Sequence, residues 1–334
     1  MAKRVAIVGA TGAVGEDLLR LLQERRFPVA SLRLFASAKS AGSTLKCGAK
    51  NITVEDLAKS DCKNIDIAIF SAGAQRSRDF AWKFAAAGAV VIDNSSAFRM
   101  EANVPLVIPE INPQDIKKHQ GVIANPNCST IIAALALWPL HKTFGLKRFT
   151  VATYQAASGA GRGAMLELQE QARRLSGNPA ATVTVAALPH QIAFNVIPQV
   201  DVFLENGYTK EEMKFVHETH KIFGDNSIKV SATCVRVPTL RAHAEAIQAE
   251  FNTPITPVAA RAVLGRAAGV RVEDDPASKL YPMPWHASGK DNVFVGRLRQ
   301  DVSSDNGLVF WVVGDQLRKG AALNAVQIAE LLQA

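Results

Sequence analysis

Short apolar runs alternate with amphipathic stretches along the first 125 residues. The apolar runs are rich in β-branched residues, which is typical of buried strands, and helical periodicity follows Gly12, Gln75 and Pro113. Gly88 stands where a helix-ending glycine is expected. The predicted strands cover residues 5–8, 32–35, 65–70, 89–92 and 122–124. Buried strands that alternate with helices predict a Rossmann-type, doubly wound parallel sheet in an α/β domain.

The pattern changes after Lys147, where longer runs alternate apolar and polar residues with a period of two. These runs cover residues 149–154, 229–237, 243–251, 293–298 and 308–313. Such alternation predicts an α+β domain with a mostly antiparallel sheet, one face of which packs on helices. An amphipathic helix over residues 321–332 could return to the first domain. We therefore predict a first domain of residues 1–127 with a C-terminal helix at 318–334, and a second domain of residues 128–317.

Composition and charge exclude several classes of protein. The 334 residues are 48% hydrophobic, which is globular composition with enough length for two domains. The net charge is +8, but the basic residues are scattered and form no run of like charges, so no nucleic-acid partner is expected. The chain has neither a long apolar run nor a signal-peptide core, which predicts a cytoplasmic protein without a membrane segment. The four cysteines lack metal-ligand spacing, so neither a metal site nor disulfides are expected.

A glycine-rich turn joins the first predicted strand to the first predicted helix. Gly9, Gly12 and Gly15 lie there, so the backbone can approach a pyrophosphate and the helix N-terminus offers free N–H groups. A glycine-rich turn without a ligand is the alternative, but the strand before and the helix after favour dinucleotide binding. No carboxylate follows the second strand, whereas Ser37, Lys39 and Ser40 can accommodate a 2′-phosphate, which favours NADP(H) over NAD(H).

Cys128 lies between a strand and an apolar helix, in the segment Asn-Pro-Asn-Cys-Ser-Thr. N–H groups at the start of a helix favour the thiolate and can also hold an oxyanion, so Cys128 is a candidate nucleophile. The alternative is a small buried hydrophobe, which is what we expect of Cys47, Cys62 and Cys234. A thiol nucleophile needs a proton-transfer partner. The residues alone leave that choice open among seven histidines: His119, His141, His190, His217, His220, His243 and His286.

The chain resembles the aspartate-semialdehyde dehydrogenase family in seven segments. They are GATGAVG, DNSSAFRM, NPNCST, YQAASGAGR, EEMK, RVPTLRAH and GDQLRKGAALNAVQIAE, and they run in the expected order from Lys3 to the C-terminus. The resemblance implies that NADPH reduces L-aspartyl 4-phosphate to L-aspartate 4-semialdehyde through a cysteine thioester, with release of phosphate. The reaction belongs to lysine, diaminopimelate, threonine, methionine and isoleucine biosynthesis. It also implies a homodimer or homotetramer formed by the second domain.

The resemblance assigns a role to each matching residue. Cys128 would form the acyl-enzyme, His243 would be the general acid/base, and Gln155 would orient the reacting carbonyl. The substrate α-carboxylate would pair with Arg236, its α-amino group with Glu211, and phosphate with Arg99 and Lys214. The cofactor would be bound by Gly9, Thr11, Gly12, Ala13, Val14, Lys39, Ser40, Ser158, Gly159 and Gln316.

Taken without the resemblance, several of these residues fit an ordinary structural role equally well. Glu211 and Lys214 could form a surface ion pair on a helix, and Arg99 and Arg236 could be solvated charges. Gln316 stands where the family commonly has asparagine, but it can still hydrogen-bond a nicotinamide amide. Two other functions stay open: an N-acetyl-glutamyl-phosphate reductase, which binds an acylated amine, and a non-catalytic NADP-binding sensor.

Overall fold

A computed structural model describes residues 1–333, so the last position of the predicted 318–334 helix lies outside the described residues. The chain forms two compact units. One contains Met1–Asn127 together with Gly320–Ala334, and the other contains Cys128–Lys319. Within residues 1–333, no helix is long and apolar enough to cross a membrane.

The first unit is built on a seven-stranded sheet in the order β3-β4-β2-β1-β5-β6-β7. Its strands are β1 (Lys3–Val8), β2 (Val29–Ala36), β3 (Thr44–Cys47), β4 (Lys50–Asp56), β5 (Ile67–Phe70), β6 (Val90–Asp93) and β7 (Val122–Ala124), and its first two helices are α1 (Ala13–Glu24) and α2 (Ala74–Ala86). All neighbouring strands are parallel except β3 and β4. The predicted doubly wound parallel sheet is therefore confirmed.

Two local features of this unit differ from what the sequence predicted. The hairpin β3–β4 was not predicted, because its strands carry many polar residues. Val54 of β4 is buried in the core, whereas Leu45, Cys47 and Ile52 are only partly buried against it. The helix expected after Pro113 is a short 3-10 helix, Pro113–Lys118. The predicted end of α2 is correct, since Gly88 has a φ of +97° just after the helix.

The C-terminal helix, Leu323–Leu331, contributes to the core of the first unit. It follows a π-helical turn at Arg318–Ala322. Leu323, Val326 and Ala329 are almost fully buried and belong to the same hydrophobic cluster as residues of β1 and α1. The apolar residues whose spacing predicted a helix are therefore the ones that pack into the core.

The second unit is built on a six-stranded sheet in the order β11-β12-β13-β10-β8-β9. Its strands are β8 (Leu146–Gln155), β9 (Lys229–Arg236), β10 (His243–Phe251), β11 (Val270–Val272), β12 (Val293–Gln300) and β13 (Gly307–Gly314), and its helices are α3 (Cys128–Phe144), α4 (Arg162–Gly177), α5 (Lys210–Phe223), α6 (Pro257–Leu264) and α7 (Pro284–Ala287). Three of the five strand pairs are antiparallel, which confirms the predicted character of the sheet, and β11 was not predicted.

Strand alternation sorts the side chains of β10 onto two faces. His243, Glu245 and Ile247 are fully buried on one face, whereas Gln248 on the other face is exposed. On the buried face, Glu245 lies opposite Thr153 of β8. The same face of β8 ends at Gln155, which pairs in register with Arg236 at the end of β9. Several polar side chains therefore lie on the buried face of the sheet, near the ends of the adjacent strands β10, β8 and β9.

Candidate active site

The glycine loop, residues 9–15, requires glycine at two positions, because any side chain there would clash with neighbouring backbone atoms. Gly9 has a φ of +89°, and a Cβ atom there would lie 2.3 Å from the carbonyl oxygen of Ser71. A Cβ atom at Gly15 would lie 2.5 Å from the carbonyl oxygen of Gly9. Gly12 caps α1 without a side-chain hydrogen bond, so the first N–H groups of the helix are open to an anion. The loop therefore fits a dinucleotide pyrophosphate.

The turn after β2 lies next to the glycine loop. The N–H groups of Gly9 and Ala10 both donate to the carbonyl oxygen of Phe35, at 2.8 and 3.1 Å, and the hydroxyl of Thr11 donates to that of Ser40 at 3.5 Å. Lys39 in this turn is exposed, and residues 37–42 contain no carboxylate. The turn thus presents a cation and hydroxyl groups, which suit a phosphate.

Arg99, also in the first unit, is buried rather than solvated. Its Nε donates to the carbonyl oxygen of Asn125 and its Nη2 to that of Asn94, both at 2.9 Å. These bonds fix the guanidinium and correct the interpretation of Arg99 as a solvated loop charge. A guanidinium held in this way is suited to bind an oxyanion.

Cys128 is the first residue of α3, as the sequence predicted, and it is half-buried. Burial lowers the pKa of Arg236, whereas its electrostatic interactions with Glu211 and Cys128 act to raise that pKa, so the Cys128 sulfur and the guanidinium lie within electrostatic reach of each other. Cys234 is fully buried in β9, and burial raises its pKa strongly, as expected of an inert thiol. Cys47 and Cys62 are only half-buried, so their prediction as buried residues was wrong.

Gln155, Glu211 and Lys214 form a hydrogen-bonded chain in the second unit. The Nε2 of Gln155 donates to Oε1 of Glu211 at 3.1 Å, and the Nζ of Lys214 donates to Oε2 of Glu211 at 2.7 Å. Lys214 also pairs with Asp201 at 3.1 Å. Glu211 is only 5% exposed, so this is not an ordinary surface ion pair. A buried carboxylate of this kind is suited to bind a cationic ligand group.

The start of α5 explains why the side chains of Glu211 and Lys214 lie on the same side of the helix. They lie three positions apart in the first turns of α5, hence on one face of the helix. A capping box fixes the helix start, because Thr209 Oγ1 accepts from the N–H of Glu212 and Glu212 Oε2 accepts from the N–H of Thr209.

His243, the first residue of β10, is fully buried. Burial and the charge of Arg236 lower its pKa to about 3, so it is a neutral imidazole at physiological pH. The residue before it, Ala242, has a φ of +68°, which is unusual for a residue with a side chain. The N–H of Ala242 donates to Gln316 Oε1 at 2.9 Å, and Gln316 Nε2 donates to the hydroxyl of Ser158. The backbone before His243 is therefore held by a second layer of hydrogen bonds.

Gly159 lies in the 3-10 helix Ala157–Ala160, where a close approach requires glycine. A Cβ atom there would lie 2.7 Å from Nη1 of Arg236 and 3.0 Å from Nε2 of His243. The structure therefore brings together the predicted residues of the second unit. We call this group the thiol cluster: Cys128, Gln155, Gly159, Glu211, Arg236 and His243.

Sequence reasoning missed two features near the cluster. The peptide of Ala156 hydrogen-bonds both His243 and Arg236, and no sequence signal marks an alanine for such a role. Glu245 is fully buried and neither of its carboxylate oxygens has a hydrogen-bond partner within residues 1–333. The period-two pattern of β10 would have placed Glu245 on the buried face. Residues 1–333 contain no group of three His, Cys, Asp or Glu side chains that could hold a metal ion.

Comparison with known proteins follows this division of the chain. Residues 4–119 match the family described as semialdehyde dehydrogenase, NAD binding domain, and residues 137–319 match semialdehyde dehydrogenase, dimerisation domain. These two matches place the chain in the semialdehyde dehydrogenase class of oxidoreductases, which bind a nicotinamide cofactor. Among its relatives, the aspartate-semialdehyde dehydrogenase of Aquifex aeolicus is 53% identical, with 99% of this chain and 98% of that protein covered. The chain belongs to the aspartate-semialdehyde dehydrogenase family.

Solved structures agree with this assignment. Aspartate semialdehyde dehydrogenase II of Vibrio cholerae, in complex with ASA, is 46% identical and superimposes with a TM-score of 0.97 over 100% of this chain and 98% of that one. The Candida albicans enzyme with NADP is 26% identical, with a TM-score of 0.75 over 100% and 99%.

Proposed function

We propose that the protein catalyses the reversible, NADPH-dependent reductive dephosphorylation of L-aspartyl 4-phosphate to L-aspartate 4-semialdehyde. The observation that carries the proposal is the thiol cluster, in which Cys128 starts a helix within electrostatic reach of a buried guanidinium. The product would serve lysine, diaminopimelate, threonine, methionine and isoleucine biosynthesis. The cytoplasm is the compartment that we propose for this reaction.

Cys128 and its neighbours divide the reduction into two easier steps. The thiolate attacks the β-carbonyl of the acyl phosphate, phosphate departs, and a thioester remains on Cys128. NADPH supplies the hydride that reduces this thioester, and the resulting thiohemiacetal releases the semialdehyde. Gln155 orients the carbonyl, and His243 acts as the general acid/base toward the substrate oxygen, a role typically worth about 10²–10⁴ in rate.

Four charged side chains would bind the substrate groups. The guanidinium of Arg236 suits the α-carboxylate bidentately, and the buried carboxylate of Glu211 suits the α-ammonium group. Arg99 and Lys214 would hold the phosphate. The preference for a free ammonium is what separates this proposal from an N-acetyl-glutamyl-phosphate reductase, whose substrate amine is acylated.

The cofactor is proposed to be NADP(H) rather than NAD(H). Gly9, Thr11, Gly12, Ala13 and Val14 would hold the pyrophosphate, and Lys39 and Ser40 the 2′-phosphate, since the turn after β2 has no carboxylate for a ribose hydroxyl. Ser158, Gly159 and Gln316 would contact the nicotinamide.

A charge change at Lys39 tests this cofactor assignment. We expect Lys39→Ala to raise the KM for NADP by roughly tenfold while leaving the KM for NAD nearly unchanged, since a charged hydrogen bond contributes about 1.5–3 kcal/mol. Equal effects on both cofactors in steady-state kinetics would contradict it. Lys50→Ala, which changes an exposed lysine of β4, is the matched control.

Relatives support the substrate, cofactor and assembly. The Vibrio cholerae protein was solved with ASA and the Candida albicans protein with NADP, and the second family match is described as a dimerisation domain. We propose that this chain forms a homodimer or homotetramer through its second unit. Analytical ultracentrifugation of the full chain distinguishes the two, and a monomer at micromolar concentration would contradict both.

The decisive test follows NADPH formation by absorbance from L-aspartate 4-semialdehyde, NADP and phosphate, with phosphate then omitted. We expect a phosphate-dependent signal that Cys128→Ala abolishes, because the thioester cannot form without the thiol. Wild-type activity in Cys128→Ala would end the proposed mechanism. Activity only with N-acetyl-glutamate semialdehyde would identify the neighbouring reductase, and inactivity with both would favour the non-catalytic NADP-binding sensor.

A further inference from the structure

The peptide of Ala156 touches two side chains of the thiol cluster. Its N–H donates to Nδ1 of His243 at 3.0 Å, and its carbonyl oxygen accepts from Nη1 of Arg236 at 2.8 Å. Ala156 is fully buried. The two following N–H groups are also held, since Ala157 donates to Thr239 at 2.8 Å and Ser158 to Leu240 at 3.1 Å. These hydrogen bonds therefore hold the backbone of residues 156–158 in one orientation.

A ring nitrogen that accepts a hydrogen bond cannot carry a proton itself. A neutral imidazole carries one proton, so an accepting Nδ1 leaves the proton on Nε2. The opposite tautomer would set two N–H groups against each other in a buried place, which costs the hydrogen bond and the desolvation of a donor. The tautomer of His243 thus follows from the direction of one backbone N–H.

The surroundings of His243 keep the ring neutral. Burial and the guanidinium of Arg236, from β9, disfavour the imidazolium and lower the pKa of the ring. Glu211, from α5, and the backbone of Ala242 act in the opposite direction, but their effects are smaller. Nε2 is buried without a hydrogen-bond partner within residues 1–333, and it lies beside Gly159, where no side chain blocks it. The Nε2–H group of His243 therefore lies within the thiol cluster, and none of the residues 1–333 accepts a hydrogen bond from it.

We propose that Ala156 is a positioning residue that holds His243 as the Nε2–H tautomer, so that His243 meets the reacting oxygen as a neutral hydrogen-bond donor. This inference rests on the proposed function and changes one role within it: His243 acts on the substrate oxygen by donating a hydrogen bond, in place of the proton transfer given there. It also assigns the positive charge beside the Cys128 thiolate to Arg236, because a neutral ring cannot supply it.

The reaction balances without a proton leaving Nε2. In the direction of semialdehyde oxidation, the Cys128 sulfur bonds to the aldehyde carbon and the carbonyl π pair moves to oxygen, where the alkoxide accepts the Nε2–H hydrogen bond. As the C–O double bond re-forms, hydride passes to NADP⁺ and leaves the thioester. Hydrogen phosphate then attacks the thioester carbon, the C–S bond breaks, and the phosphate proton goes to solvent. A neutral donor therefore suffices at the substrate oxygen.

The direct test determines the tautomer of the His243 ring by NMR and does not depend on enzyme activity. The free, full-length protein is labelled with [15N]histidine, and long-range 1H–15N correlation spectra identify the tautomer of each ring. The His243 signals are assigned by their disappearance in His243→Gln. We expect the Nε2–H pattern, unchanged between about pH 5.5 and 8 because the ring stays neutral. An Nδ1–H pattern, or titration of this ring inside that window, would overturn the proposal.

A pair of variants tests the donor in catalysis. The side-chain amide nitrogen of glutamine reaches the place of Nε2, whereas that of asparagine reaches only the place of Nδ1. If His243 is a hydrogen-bond donor, His243→Gln retains at least roughly tenfold more kcat than His243→Asn, because a donor to an oxyanion typically contributes about 10²–10³ in rate. Equal kcat values in two folded variants with matching circular dichroism would overturn the donor role.

Failure of the proposed function has a different signature. In that case the wild type would be inactive on aspartate semialdehyde, while the Nε2–H tautomer would still be present in the spectra.

Discussion

The close approach of Gly159 to two buried side chains makes Gly159→Ala the most informative substitution. Its Cβ atom would lie 2.7 Å from Arg236 Nη1, and 3.0 and 3.1 Å from Nε2 and Cε1 of His243. Both side chains are buried, with 5% and 0% of their surface exposed, so neither can move into solvent. The added methyl group must displace a guanidinium that the Ala156 carbonyl holds at 2.8 Å, or an imidazole that the Ala156 N–H holds at 3.0 Å.

The magnitude follows from overpacking a buried site. An extra methyl group in a packed interior costs about 1–3 kcal/mol of folding stability. At roughly 2–4 °C per kcal/mol for a domain of this size, the Tm should fall by roughly 2–12 °C. The effect on activity should be larger, since a displacement of about 1 Å in a reacting group can cost roughly 10²-fold in rate. We therefore expect Gly159→Ala to lose kcat/KM for the semialdehyde far more than it loses stability.

The assays are scanning calorimetry and steady-state kinetics, with the dissociation constant for NADP measured separately by fluorescence. Gly163→Ala is the matched control, because its Cβ atom would meet only Ala187, at an ordinary 3.8 Å. We expect the control to keep wild-type kinetics. The reasoning is refuted if Gly159→Ala has wild-type Tm and kinetics, or if it changes only the affinity for NADP.

Two further predictions concern stability. Burial, together with the charge of Glu211, raises the pKa of Glu245 well above its ordinary value, so the folded protein retains a proton that the unfolded chain loses above about pH 4.5. Wild-type stability must then fall as pH rises from that value. Glu245→Gln should therefore raise the Tm more at pH 8 than at pH 5 in calorimetry, and a pH-independent difference would contradict this. Thr209→Ala removes the capping box of α5 and should cost about 0.5–2 kcal/mol in urea unfolding, with Thr209→Ser near wild type; no loss in Thr209→Ala would show that the cap contributes little.

Sequence patterns predicted most of the fold because burial repeats at the period of each element. The run 243–251 has alternating burial in the structure and matches β10 at both ends. The hairpin β3–β4 was missed for the same physical reason. It lies at the edge of a sheet, where few side chains are buried, and a strand that buries little apolar surface leaves a weak pattern.

The candidate site divides in a similar way. The glycine loop and Cys128 could be singled out because each lies at a junction between a strand and a helix, where the chain order itself gives the geometry. Arg99, Arg236 and Glu211 could equally well have been solvated charges on the surface. Their burial in the folded protein excludes that role, and their contacts with substrate stay predictions.

The sequence by itself determined the two-part organisation, the two classes of sheet, the glycine loop and the position of Cys128 at a helix start. These features depend on residues close together in the chain, or on a repeating pattern of burial. The tertiary structure alone decided that the backbone of Ala156 forms hydrogen bonds with His243 and Arg236. It also decided that these two side chains leave no room for a side chain at position 159. The two hydrogen bonds join residues 87 and 80 positions apart. Hydrogen-bond direction and packing at such a distance depend on the folded coordinates, which local sequence patterns do not contain.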